Sequence, residues 1–193
     1  MKTNQLGRML LTPYEQEKNA VSTPPAQFVR VLQNSNADSL VLNILVGIAK
    51  AGVSKFGHYA LGVDLMLSGG LRVSEVIAER MVFVNTFGQV LIKGRKGSRD
   101  KLVTPVYCVE YWRSLQGWVF NPCSVVSRFS WYRFLKAQGV VLQEKGHKHK
   151  SVTHSARKLQ AHCLYGAGVG VGSIQDVIGH RSARSTEFYL PRG

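Results

Sequence analysis

The chain has 193 residues and a formal net charge of +14 at pH 7, with a pI near 10.1. That length fits one domain, or one domain plus a short arm, and builds a core without disulfides. The charge marks a polyanion as partner (DNA, RNA or an acidic membrane surface) rather than a merely soluble basic protein. Cys108, Cys123 and Cys163 are odd in number, lack close pairing and form no C-x-x-C, so they suggest neither a disulfide framework nor a zinc site and fit a reducing compartment. No apolar run reaches spanning length and no signal-peptide core opens the chain, so a cytoplasmic location is expected, nucleoid-associated in a bacterium.

Residues 1–36 read as an N-terminal arm or linker, and 37–193 as the folded domain. Two phrases near the start, L-T-P-Y-E at 11–15 and S-T-P-P at 22–25, look like helix starts with proline in the first turn. A helix is expected over 39–50, capped by Ser39. Leu40, Val41, Leu42, Ile44, Leu45, Val46 and Ile48 make it apolar almost all round, hence buried. A second helix is expected over 57–68 with Leu61, Leu65 and Met66 on its core side, broken by Gly69-Gly70. Arg72 then opens a third helix, 73–80. Glu75 lies one turn on, placed to orient Arg72 or simply to suit a helix N-terminus.

The β signal comes next, with short strands at 81–84, 89–93 and 101–106. The turn between the last two, G-R-K-G-S-R-D, crowds Lys93, Arg95, Lys96, Arg99 and Lys101 together. It is either a solvated hairpin tip or a hairpin that enters a DNA groove. Residues 107–116 read as a helix, and W-V-F-N-P at 118–122 as a packed loop. Residues 124–138 read as a further helix whose Val125, Phe129, Tyr132 and Leu135 form a core stripe, with Arg128, Arg133 and Lys136 facing phosphates from the other side.

K-G-H-K-H-K at 145–150 offers His147 and His149, but no acidic or thiolate partner stands at ligand spacing. It reads as a basic loop that brings Lys148 and Lys150 to DNA. His154 and Arg157, three apart on the next helix, point to one face and reach one phosphate, with Lys158 beside them. Gly166, Gly168, Gly170 and Gly172 read as a connector, since no strand precedes them and no nucleotide fingerprint matches. Ser173 with Asp176 resembles a helix start. Ile174, Val177 and Ile178 bury, and Gly179 ends that helix, leaving His180 where the helix dipole favours an imidazolium. Residues 186–189 then deliver the phenol of Tyr189.

Two imidazoles, two guanidinium groups and a phenol suit chemistry on a phosphodiester: cations neutralise the oxygens, imidazoles hold or move protons, and a phenol can attack phosphorus. G-L-R-V-S-E at 70–75, K-G at 96–97, H-x-x-R at 154–157, G-H at 179–180 and Tyr189 occur in one order over residues 39–189. In that order and spacing they resemble the catalytic domain of tyrosine recombinases, the phage-integrase family. Each motif alone is weak, and five in order are strong.

The resemblance implies an α+β fold, mostly helical with a small three-stranded antiparallel sheet, and makes 37–193 a catalytic domain. It implies that Tyr189 forms a 3′-phosphotyrosyl link to double-stranded DNA without metal, ATP or another cofactor. Arg72 and Arg157 would stabilise the phosphorane, and Lys96 would protonate the leaving 5′-oxygen, with Lys93 as the other candidate lysine. His154 would take or hold the tyrosine proton, and His180 would bond the phosphate. Lys93, Arg95, Arg99, Lys101, Lys148, Lys150 and Lys158 would contact DNA. Lys158 stands where the family often has a second histidine. Members act as homotetramers assembled from dimers on DNA. The length leaves no room for the family's usual N-terminal clamping domain, which fits a catalytic portion or a naturally short member. A type IB topoisomerase, a catalytically idle DNA-binding regulator and a basic RNA-binding module remain the alternatives.

Overall fold

The computed structural model describes residues 21–22, 39–78, 82–94, 100–140 and 155–190. Its elements in chain order are β1 (Val21–Ser22), α1 (Ser39–Phe56), α2 (His58–Gly69), α3 (Val73–Val76), β2 (Val82–Val84), β3 (Val90–Ile92) and β4 (Lys101–Val103). There follow α4 (Val109–Ser114), a 3-10 turn (Pro122–Val125), α5 (Arg128–Ala137), α6 (Ser155–Gly166), α7 (Val171–Ile178) and α8 (Ala183–Glu187). The molecule is mostly helical with a small antiparallel sheet, as expected.

The core is built around α2. Every residue from Ala60 to Gly69 is buried, so α2 is enclosed on all sides. That place was expected for α1, which instead buries Val41, Leu42, Leu45, Ile48 and Ala49 and leaves Leu40 exposed. The reason is that α1 is an outer helix laid on α2, so only one stripe of its apolar residues finds a partner. It also runs past the expected end to Phe56, through a break at Gly52 where φ is 70°. Within α2, Gly62 lets Trp131 of α5 come close: an added Cβ would sit 2.3 Å from its ring. Asp64, also in α2 and fully buried, accepts hydrogen bonds from Ser68 Oγ and from the backbone N–H groups of Val106, Tyr107 and Cys108. Burial pushes its carboxyl up from the ordinary value while these bonds pull the other way. The effect is to fasten the start of α4 to the central helix.

β2, β3 and β4 form an antiparallel meander, with Val82 opposite Ile92, Val84 opposite Val90, Val90 opposite Val103 and Ile92 opposite Lys101. The two-residue β1 joins the free edge of β4 in parallel, giving the order β1-β4-β3-β2. Helices cover the sheet, so all three residues of β3 and all three of β4 are buried.

The segment after α4 differs from expectation. Residues 124–138 are not one helix: Asn121 and Pro122 set a 3-10 turn, Val126 is extended, and Ser127 caps α5 by accepting from Ser130 N. The inner stripe of α5 is Trp131 and Leu135, with Phe134 half-buried against Tyr59 and Phe56. Val125, Phe129 and Tyr132, expected in the core, are exposed. Trp131, Phe134 and Leu135 satisfy the same helical spacing as the expected stripe, so spacing alone does not choose the buried face. Arg133 and Lys136 do not lie on an opposite face either, since they stand over the exposed rings of Phe129 and Tyr132 at 5.7 and 6.0 Å. The W-V-F phrase is likewise exposed. Its anchor is Asn121, whose Nδ2 donates to Val76 O and Ala78 O.

Candidate active site

Arg72 is positioned by a turn and a cap. Gly70 ends α2 in the left-handed region with φ 58°, and Arg72 follows in extended backbone as the N-cap of α3. Glu75 reaches back from the first turn of α3. Its carboxylate accepts the Arg72 backbone N–H at 2.8 Å and Nη1 at 3.2 Å. Glu75 is buried, whereas the Arg72 side chain keeps 23% of its surface. The arginine is thus held from beneath with part of its side chain at the surface. Of the two readings of Glu75, the geometry supports both: it orients Arg72 and satisfies an orphan N–H at a helix start.

Arg157 enters from α6 and is fully buried. Its Nη1 donates to Gly70 O at 2.9 Å and its Nη2 to Ile178 O. Glu75 Oε2 lies 3.6 Å away. Its Nε has no hydrogen-bond partner among the described residues. Burial, and then the neighbouring Arg72 charge, bring its pKa down to about 10. One turn on, Gln160 packs its amide on Gly70, where an added Cβ would fall 1.5 Å from Gln160 Oε1. Together with the positive φ, that contact makes glycine obligatory at position 70.

Lys101 was expected to face DNA with the other hairpin cations. It is turned inward instead: only 2% exposed, with Nζ donating to Gly69 O at 3.1 Å and to Ile178 O at 2.8 Å. The sheet is covered on both faces at this register, so a side chain from β4 meets the ends of α2 and α7 rather than solvent. Burial, followed by repulsion from Arg157, lowers the Lys101 pKa to about 7.

His180 and Tyr189 close the site. Gly179 caps α7 in the left-handed region at φ 72°, as expected for the end of that helix. The helix itself begins at Val171 with Gly170 as N-cap, not at Ser173. His180 follows and is buried, with Nδ1 3.1 Å from Thr186 Oγ1 on α8. Tyr189 lies on the turn after α8, its N–H bonded to Thr186 O at 2.8 Å. Its half-buried ring sits 5.0 Å from the His180 ring, inclined by 58°. A phenolate at Tyr189 would act on Arg157 electrostatically and raise its pKa.

The structure therefore brings Arg72, Arg157, His180 and Tyr189 around one location, although they span 118 positions from 72 to 189. Lys96, His154, Arg95, Arg99, Lys148 and Lys150 lie outside the described residues, as do His147 and His149. Lys93 is paired with Asp100 at 2.8 Å across the hairpin, and Lys158 is half-buried on α6. Among the described residues no cluster of histidine, cysteine and acidic side chains could hold a metal ion. Three contributors escaped the sequence reading. Thr186 and Gln160 give no signal in a single sequence. Lys101 does give one, because it sits at the head of an apolar strand, K-L-V, where inward burial competes with exposure.

No protein-family model matches the chain, and no curated protein matches it. Solved structures do. A crystal structure of XerA recombinase superposes with a TM-score of 0.55 at 19% identity, covering 78% of this chain and 59% of that one. XerH site-specific recombinase bound to its palindromic difH substrate, in a post-cleavage complex, gives 0.48 at 17% identity, over 95% of this chain and 49% of that one. The Tn1549 transposon integrase with transposon right-end DNA gives 0.44 at 13% identity, over 95% and 61%. The chain thus spans about 59% of the length of XerA. With its helical core, its small antiparallel sheet and this superposition, the chain has the fold of a tyrosine recombinase catalytic domain.

Proposed function

We propose that the chain is a site-specific DNA strand transferase working through a tyrosine nucleophile. The observation that carries this reading is the juxtaposition of the His180 and Tyr189 rings, 5.0 Å apart, beside a cluster in which buried Arg157 and Lys101 and half-buried Arg72 outnumber the one carboxylate among the described residues there, Glu75. An excess of buried cations is costly unless an anion is seated among them. A phosphodiester is such an anion, and the net charge of +14 suits the polymer that carries it.

In this reading the Tyr189 oxygen attacks phosphorus, and its proton passes to His154. The bond from phosphorus to the 5′-oxygen breaks, and Lys96 supplies the proton that the leaving oxygen takes. The DNA 3′-end remains as a phosphotyrosyl ester, and reversal by another 5′-hydroxyl rejoins strands with no outside energy source. Arg72, whose side chain is partly exposed, offers its guanidinium to the phosphorane oxygens, while buried Arg157 contributes charge. His180, steadied by Thr186, hydrogen-bonds a phosphate oxygen. Residues 37–193 serve as the catalytic domain and 1–36 as an arm, and paired cleavages take place in a homotetramer assembled from dimers on duplex DNA. The remaining candidate cations, Lys93, Arg95, Arg99, Lys148 and Lys150 of the hairpin and loop and Lys158 of α6, contact the DNA backbone. The chain works in the cytoplasm, on the nucleoid in a bacterium.

A second reading draws on Arg157. Both of its terminal nitrogens are committed to backbone carbonyls, which suits a domain that holds DNA without cutting it. One experiment separates the two. The protein is mixed with a library of nicked duplexes and denatured in detergent, and any DNA-linked peptide is mapped by mass spectrometry. An adduct on Tyr189, absent from Tyr189→Phe, supports the transferase; tight duplex binding with no adduct supports the regulator.

A further inference from the structure

We propose that Lys101 is a positioning residue that holds the phosphate pocket in register and takes up a proton when an anion is seated there. This rests on the pocket being an anion site, as in the proposed function.

The geometry is a two-cation clamp. From β4 the Lys101 ammonium spans the C-terminal ends of two helices, donating to Gly69 O of α2 at 3.1 Å and to Ile178 O of α7 at 2.8 Å. Arg157 takes the adjacent carbonyl, Gly70 O, and the same Ile178 O. Both helix ends carry partial negative charge, which suits cations. The chain leaving the first end reaches Arg72 two residues after Gly70. The chain leaving the second reaches His180 two residues after Ile178. The two hydrogen bonds of Lys101 Nζ go to the helix ends themselves, to Gly69 O and Ile178 O. It thereby fixes the distance between the two segments that carry Arg72 and His180.

The same geometry sets up a charge conflict. Two cations donate to one oxygen in a buried space. Among the described residues the charged groups facing Lys101 are Arg157 from α6, Arg72 from the turn before α3, and Glu75 from α3 as the sole carboxylate. α2 and α7 face it with carbonyl groups, and β3 places Ile92 opposite it. With the pocket empty, burial and Arg157 bring the ammonium down to about 7. The neutral amine keeps two N–H donors, enough for both carbonyls, so the clamp survives loss of the charge. A bound anion favours the charged form again, and the proton is drawn from solvent.

The test uses the full chain labelled with 13C at lysine Cε, with Lys101 assigned through bonds. The midpoint of its titration is followed in sodium sulfate and in sodium chloride at equal ionic strength. Expected is a Lys101 midpoint well below those of the other lysines that moves up by about one pH unit in sulfate. A midpoint among the other lysines, or one indifferent to sulfate, overturns the proposal. Positioning is read separately with nicked duplex. Lys101→Met should bind it within about threefold of wild type yet form the Tyr189 adduct about 100-fold more slowly, with Lys101→Arg recovering part of that loss. Adduct formation by Lys101→Met at the wild-type rate also overturns the proposal. If the wild-type protein forms no adduct at all, the transferase reading fails, and the sulfate titration still decides for or against Lys101.

Discussion

Lys101 and Arg157 donate hydrogen bonds to one oxygen, the carbonyl of Ile178. That shared acceptor ties a strand, two helices and the turn carrying His180 into one unit. It also forces two positive charges together in a place from which water is excluded, and the energetic consequences can be measured.

The first concerns pH. The Lys101 pKa is about 7 in the folded chain against 10.5 ordinarily, so between those values the unfolded chain binds the extra proton. Stability therefore rises with pH across that window and is lower below it, with a slope of up to about 1.4 kcal/mol per pH unit from this group. Urea unfolding at a series of pH values from 6.5 to 9.5 should show the rise in wild type, and Lys101→Met should flatten it.

Glu75 is the only carboxylate among the described residues that pairs with the two arginines. Glu75→Gln keeps the shape and an acceptor for the Arg72 N–H but leaves the cations uncompensated. Removing one partner of a buried pair costs about 3–5 kcal/mol. Chemical denaturation should show a loss of that order, and added sulfate should recover more stability in the variant than in wild type.

The inner face of α5 is tested by contrast. Trp131 is fully buried and Phe129 is mostly exposed. Trp131→Ala should cost about 3–5 kcal/mol, whereas Phe129→Ser should stay within about 0.5 kcal/mol. Equal losses in thermal melts would overturn the register described for α5.

Close packing of α2 gives a further expectation. A methyl at Gly62 would press on the Trp131 ring at 2.3 Å and on Val76 Cγ1 at 2.8 Å. Overpacking of this kind costs about 1–3 kcal/mol, partly offset by the better helix propensity of alanine. Gly62→Ala should accordingly lower the melting temperature, and pairing it with Trp131→Phe should restore part of the loss.

Thr186 is expected to matter for rate rather than for folding. Thr186→Val removes the hydroxyl 3.1 Å from His180 Nδ1 at nearly constant volume. A hydrogen bond worth about 1 kcal/mol corresponds to about a fivefold slower Tyr189 adduct, and the adduct assay against a fixed nicked duplex would register it. An unchanged rate would mean that Thr186 does not steady the imidazole.

How much of this was legible beforehand depends on how far each feature is encoded locally. The fold class, the ends of α2 and α7 and the pairing of Arg72 with Glu75 follow from glycine positions, apolar spacing and one acidic residue three places on. The convergence of Arg72, Arg157, His180 and Tyr189 follows from motif order. The face of α5 was misread because two apolar stripes, one through Phe129 and Tyr132 and one through Trp131 and Leu135, fit the same helix, and only the partner surface of α2 chooses between them. The inward turn of Lys101 was hidden for a similar reason. Its acceptors are backbone carbonyls, which every residue supplies and no letter of the sequence marks.

His180, Thr186 and Tyr189 lie within ten consecutive residues, whereas Arg72, Lys101 and Arg157 come from distant parts of the chain. The phenol and its neighbouring histidine are thus a product of short-range folding, and the cation cluster is a product of the whole topology. The two halves of the site can then fail independently. Fraying of α8, only five residues long, would displace the phenol while leaving the cation cluster intact. Loss of the cation cluster, by contrast, would require the core itself to open.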